Sequence, residues 1–267
     1  MVFVGGVHRS GTTPLARVLA THPEISGLTS TGAPEDEGQH LQDVYPKIRT
    51  HGGLGRFALS SDAHLTDKSP LCSGENATRL LQSWQPFWDL SRPYLLEKSP
   101  PNIVMSRFLQ GLFPESSFVM VVRNPIVVAL ASRKWNPWFV SRKGYRRRTL
   151  AGHVRNWIAA HETLERDLPH LKRVLVVNYE ELVANPQPAL SRIQDFLGLD
   201  SAIDGSPLQA SLSSRYQEQW AHMRAGNPLQ RTTRRRIEHR YSAEVARFGY
   251  DVSDLGAFRP WHERQPS

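Results

Sequence analysis

Short apolar runs and helical stripes alternate along the 267 residues, separated by glycine, proline and polar punctuation. Val2 to Val4 is a continuous apolar run that leads into a loop of glycines and hydroxyls, after which Leu15, Val18 and Leu19 share one helical face. This predicts strand, loop and helix, with Pro14 in the first helical turn and His22-Pro23 closing it. Ile25 to Leu28 reads as a short second strand and Tyr94 to Leu96 as a third. Phe118 to Val122 is apolar throughout, as a parallel strand covered on both faces must be, and Val174 to Val177 repeats that pattern.

Helical segments are predicted between the strands: one from about Glu35, one over 75–90, one from Asn102 through Leu112, and one from Pro125 through Ser132 to Trp135. Others follow over 150–168, over 186–198 with Gly198 as its stop, and from about Arg231 to Phe248. Residues 46–74 and 200–230 lack periodicity and read as loops. Strands alternating with helices predict an α/β fold, a three-layer doubly wound parallel sheet, within one domain spanning residues 1–267. Ligands of such sheets bind at the carboxyl ends of the strands. That rule singles out the loop after the first strand, Lys98, Arg123 and Tyr179.

The first loop has the makings of a phosphate site. Backbone N–H groups and the positive end of the helix dipole converge there. Aligned with the nucleotide triphosphatase pattern G-x-x-x-x-G-K-[ST], it supplies Gly6 and Gly11, but Thr12 stands where the lysine belongs and Arg9 lies inside the loop. It is therefore P-loop-like, fit to cradle a phosphate and poorly equipped for Mg-nucleotide hydrolysis.

Bulk composition narrows the setting. The single cysteine, Cys72, excludes an internal disulfide framework and a cysteine-rich zinc site, and it fits a reducing compartment. No apolar stretch approaches the ~20 residues that span a membrane. An apolar strand at the very start predicts no leader peptide, so a cytoplasmic protein with no membrane partner is expected. The net charge of +8 is concentrated in Arg142-Lys143-Gly-Tyr-Arg146-Arg147-Arg148 and Arg231-Thr-Thr-Arg234-Arg235-Arg236. No nucleic-acid module accompanies these runs, so no nucleic-acid partner is expected. Part of the charge is read as steering a polyanionic small molecule, the rest as a solvated basic face.

Two motifs now converge. Gly6-Val-His-Arg9-Ser10-Gly11-Thr12-Thr13 resembles the 5′-phosphosulfate loop of sulfotransferases that use 3′-phosphoadenosine 5′-phosphosulfate (PAPS). Arg123-Asn-Pro125, with Ser132 nine positions after Arg123 (132 − 123), resembles that family's 3′-phosphate motif. Val-Asn-Tyr179-Glu-Glu-Leu resembles its adenine-side strand end. The resemblance implies in-line transfer of a sulfuryl group to a hydroxyl or amine, with no metal. It implies His8, Arg9, Ser10, Gly11, Thr12 and Thr13 around the 5′-phosphosulfate, with Arg9 the loop cation. It further implies Arg123 and Ser132 on the 3′-phosphate, and Tyr179, Ser214 and Arg215 elsewhere on the nucleotide. Lys98 matches a strand-end lysine near the phosphosulfate bridge. Lys68, in the similar Asp67-Lys-Ser-Pro70, is the less fitting choice because a polar stretch precedes it.

The proton acceptor is where the chain departs from one branch of the family. Cytosolic small-molecule sulfotransferases carry a histidine two residues after the strand-end lysine, and here that position is Pro100. Tyrosylprotein sulfotransferases use a glutamate after the second strand, which points to Glu37 first, Glu35 second and His40 third. Residues 29–92 would then lie on the acceptor side, together with Trp135 and Trp138, and residues 200–267 would form a loop-rich region and a basic helix. A small-molecule acceptor is expected, with a peptide tyrosine as the second class. The rival readings are a P-loop phosphotransferase or nucleotide hydrolase, and a non-enzymatic polyanion binder.

Overall fold

The computed structural model describes residues 1–134, 149–208 and 213–263. Five strands, β1 (Val2–Gly6), β2 (Ile25–Gly27), β3 (Tyr94–Lys98), β4 (Ser117–Val122) and β5 (Val174–Asn178), form one parallel sheet in the order β2-β3-β1-β4-β5. The register places Val4 opposite Lys98, Gly6 opposite Val121 and Val122 opposite Asn178. The loop after β1 and Arg123 therefore both leave the sheet at its carboxyl end.

Helices cover both faces. Among the described residues they are α1 (Thr12–Ala20), α2 (Gly74–Trp84), α3 (Ser106–Leu112), α4 (Pro125–Lys134), α5 (Leu150–Asp167), α6 (Tyr179–Ala184), α7 (Pro186–Leu197), α8 (Ser213–Ala225) and α9 (Pro228–Arg247). Successive strand residues point to opposite faces, so β1 feeds two cores. Phe3 stacks on Phe118 with ring centroids 5.5 Å apart and meets Trp84 edge-on. Val2 and Val4 pack on the other face with Leu15, Leu19, Val119 and Val121. Burying each such side chain contributes about 1.5–3 kcal/mol. This is the three-layer doubly wound arrangement expected from the alternation of strands and helices.

Several local expectations are corrected. No α-helix begins at Glu35; Pro34–Asp36 and Gly38–His40 are single 3-10 turns, with Glu35 and Asp36 at positive φ. The helix expected over 75–90 stops at Trp84, where Pro86 forces a 3-10 turn. The segment from Asn102 begins as a 3-10 turn, Pro100–Val104, before α3. Residues 213–225, expected as loop, form α8, which packs against α4 and α9. The second basic run lies on α9, where Arg234 is buried with its guanidinium 5.0 Å from the Trp220 ring and bonded to Glu238 at 2.7 Å. One of its cations is thus a structural clamp between α8 and α9. The first basic run, Trp135 and Trp138 lie outside the described residues. No described helix is long and apolar enough to cross a membrane.

Candidate active site

The loop between β1 and α1 is wound tightly. Ser10 N–H closes a turn on the Val7 carbonyl at 3.1 Å, and Arg9 and Gly11 adopt positive φ of 71° and 103°. Gly11 has a second reason to lack a side chain. A Cβ there would sit 2.1 Å from the Tyr179 ring, which lies against the loop at the end of β5. The first N–H groups of α1 have no partner within the helix, and with the dipole they make a centre of positive potential. The buried Ser10 hydroxyl has no protein partner either. The Thr13 hydroxyl accepts from Lys98 Nζ at 3.1 Å.

Arg123 arrives from the end of β4 and is buried. Its Nη1 donates to the Arg9 carbonyl at 3.0 Å, and its guanidinium lies 4.2 Å from the centre of the Tyr179 ring. The turn that carries it is built by Asn124, whose side chain caps α4 through Ile126 N–H at 2.9 Å and whose own N–H donates to Glu180 at 2.8 Å. Ser132 is buried within α4, about two turns from its start. Glu180 also accepts from the Tyr250 hydroxyl at 2.9 Å, and Tyr250 in turn accepts from Asn178. Burial raises the Glu180 carboxyl, with the Asn124 and Tyr250 hydrogen bonds opposing.

Lys98, at the end of β3, is 4% exposed. Its ammonium meets the Glu35 carbonyl at 2.9 Å, Thr13 at 3.1 Å and Glu37 Oε1 at 3.3 Å. Three donors of an ammonium are thereby matched by three acceptors. Glu37, 7% exposed, also accepts from Gln39 Nε2 at 2.5 Å and stands 3.6 Å from His40 Nε2. Burial alone would raise its pKa. The nearby His40 and His8 rings, the charge of Lys98 and the Gln39 amide outweigh burial and hold it at about 2. His8 faces this cluster, its ring edge-on to Phe57, and burial pushes its pKa down to about 4, so the imidazole is neutral at neutral pH.

A stability prediction follows from the depressed carboxyl. The folded pKa of Glu37, about 2, lies below its ordinary value of 4.5, so its contribution is present above pH 4.5 and lost as pH falls toward 2. Glu37→Gln is expected to lose less stability than the wild type across that window, read as the thermal midpoint against pH. Parallel loss in both proteins would contradict the depression.

The structure thus brings Arg9, Ser10, Gly11, Thr12, Thr13, Lys98, Glu37, His40, His8, Arg123 and Tyr179 to one edge of the sheet. It does not bring the Glu35 carboxylate to Lys98: that group pairs with Arg17 on the exposed face of α1 at 3.3 Å, and only its carbonyl meets the lysine. Lys68 is exposed and plays no part. Ser214 and Arg215 are exposed on the first turn of α8, while their neighbour Tyr216 is partly buried against the core. Burial lowers the pKa of both Arg9 and Arg123, and Tyr216 is close enough to both to oppose it. Sequence reasoning missed Tyr216, Glu97, Glu180 and Tyr250. The last two were traceable only as polar residues beside, or far beyond, a strand end.

The comparisons with known proteins agree with this geometry. A model described as the sulfotransferase family matches residues 2–203. The chain is 28% identical over 204 residues to protein-tyrosine sulfotransferase 2 of Gallus gallus, covering 74% of this chain and 51% of that protein. It is 24% identical over 208 residues to protein-tyrosine sulfotransferase A of Caenorhabditis elegans, covering 74% and 50%. The chain spans about half the length of the curated relatives it matches. Among solved structures, it is similar to sulfotransferase STF1 from Mycobacterium tuberculosis H37Rv, with a TM-score of 0.52 and 15% identity over 83% of this chain and 76% of that one. That likeness supports the fold.

Proposed function

The chain belongs to the sulfotransferase family, and on that premise we propose that it moves a sulfuryl group from PAPS to an acceptor hydroxyl or amine by in-line displacement. The observation that carries this reading is the buried Lys98–Glu37 pair beside the P-loop-like turn, a cation and a charged carboxylate within 3.3 Å at the mouth of a phosphate cradle. The residues present fit the donor. The unpartnered Ser10 hydroxyl and the α1 N–H groups suit the 5′-phosphosulfate, and Arg123 lies across the loop from them in position for a second phosphate.

The donor supplies the sulfuryl group and a bisphosphate leaving group, 3′-phosphoadenosine 5′-phosphate (PAP). In the proposed step Glu37 takes the acceptor's proton as the new bond to sulfur forms. Lys98 would hold the oxygen that departs when the bond from sulfur to the 5′-phosphate breaks, and Arg9 and the loop N–H groups would hold the charge on the sulfuryl oxygens. His40 supports Glu37 rather than replacing it. Domain extent, cytoplasmic placement and the roles of Ser132, Ser214 and Arg215 belong to this same proposal.

The acceptor is proposed to be a small molecule bearing a hydroxyl. A tyrosine peptide is the second reading, favoured by the two relatives named protein-tyrosine sulfotransferases. Calorimetric titration with PAP and with ATP plus Mg²⁺ tests the donor site, and PAP is expected to bind at least about tenfold more tightly. Equal binding of ATP would overturn the reading in favour of a nucleotide hydrolase or phosphotransferase. Labelled PAPS with 4-nitrophenol, glucosamine and a tyrosine peptide then sorts the acceptor classes.

A further inference from the structure

Glu97 precedes Lys98 on β3 and is fully buried. Both of its oxygens accept hydrogen bonds: Oε1 from Gly38 N–H at 3.0 Å and from the Ser99 hydroxyl at 2.5 Å, Oε2 from Asn102 Nδ2 at 2.7 Å. The Ser99 oxygen accepts in turn from Gln39 N–H at 3.0 Å. Two consecutive backbone N–H groups, those just after Glu37, therefore hang on this carboxylate directly or through one hydroxyl. The contact is close enough to demand glycine at position 38, where a Cβ would lie 2.6 Å from Glu97 Oε1. Trp84 Nε1 holds the Gly38 carbonyl from the other side at 3.0 Å.

Burying a carboxylate is costly, and an amide side chain offers a cheaper acceptor for a backbone N–H. Glu97 accepts three donors, more than one amide oxygen meets, and it sits beside the lysine that grips Glu37. We infer that Glu97 is a positioning residue, one that anchors the Gly38–Gln39 backbone so that Glu37 presents its carboxylate to Lys98 and the acceptor. This rests on the proposed role of Glu37 as base.

The arrangement is pH-sensitive. Burial raises the Glu97 pKa to about 7, against the hydrogen bonds from Ser99 and Asn102 and the charge of Lys98, with Glu37 adding to the rise. The titratable groups that face it are Lys98, Glu37 and the buried Tyr45 phenol, whose pKa is also raised. The three groups bonded to the carboxylate are all donors. A proton arriving there turns the carboxylate into a weaker, neutral acceptor for all three, and the turn loosens as pH falls through about 7.

Glu97→Gln and Ser99→Ala, beside the wild type, test this with PAPS and the best acceptor of the panel above. Glu97→Gln is expected to lower kcat about tenfold at pH 8, a misplacement effect, with PAP affinity within about twofold of wild type. The wild type is expected to show an acid limb of kcat near pH 7, and Glu97→Gln a flat profile there, because its side chain does not titrate. Ser99→Ala should lower kcat by a smaller factor and keep the limb. Unchanged kcat in Glu97→Gln, persistence of its acid limb, or an equal fall in PAP affinity would overturn the inference. Should Glu97→Gln not fold, unchanged kcat in Ser99→Ala overturns it instead. A wild type that neither binds PAP nor transfers sulfuryl overturns the functional reading together with this one. A transferring wild type with indistinguishable variants overturns this one alone.

Discussion

Glu37→Gln is expected to lower kcat by about a hundredfold to ten-thousandfold while leaving PAP affinity within about twofold, the range for loss of a general base. The carboxylate stands 3.3 Å from Lys98 and is held at a low pKa partly by that lysine. A base at about 2 is a weak one, so on the proposed reading the pair would part before the proton moves. Lys98 would turn to an anionic donor, its part in depressing Glu37 beside those of His40 and His8 would fall, and the carboxylate would become more basic. The amide introduced by the substitution keeps the size and some hydrogen bonds but cannot take a proton. Single-turnover transfer measured beside calorimetry separates the two effects. A variant that turns over at the wild-type rate removes Glu37 as base and returns attention to Glu35 and His40.

Arg123→Ala is expected to weaken PAP about a hundredfold, and adenosine 5′-phosphosulfate, which lacks the 3′-phosphate, by much less. Hydrogen bonds to a charged group contribute about 1.5–3 kcal/mol, and removing a buried guanidinium forfeits them. The comparison is needed because Arg123 also bonds the Arg9 carbonyl and so braces the loop after β1. Some loss for both ligands reports the brace, and the difference between them reports the phosphate. Equal loss for both would leave Arg123 as a brace only.

The elements legible in the sequence are those whose own side chains reveal their surroundings. β1 and β4 stand out because both faces are buried, so Val2–Val4 and Phe118–Val122 are apolar without interruption. The loop after β1 is legible for a related reason: its glycines, Gly6 and Gly11, take the positive φ that the local backbone needs. The turns at Pro34–His40 are different. Their carbonyl and N–H groups are claimed by Lys98 and Glu97, some sixty residues away, and nothing local announces that. A helix favoured by acids near its start loses to those distant partners. α8 escaped notice because few of its residues face inward, Trp220 and Met223 chief among them, and the remainder lack a stripe. Glu97 was hidden by its type, since a carboxylate at the end of an apolar run reads as the end of the strand when it is the strand's buried interior.

The pairing of β1 with β4 bears on recognition as well as on folding. Gly6 lies opposite Val121, so the loop and Arg123 emerge from neighbouring strands that stand about 4.8 Å apart. Tyr179 lies against both, its ring close to Gly11 and 4.2 Å from the Arg123 guanidinium. On the proposed reading, the sheet fixes where the loop and the Arg123 backbone stand, and the bond to the Arg9 carbonyl holds the guanidinium against the loop. A bound cofactor with two anionic groups would then be matched by the backbone spacing of β1 and β4 together with the reach of the Arg123 side chain.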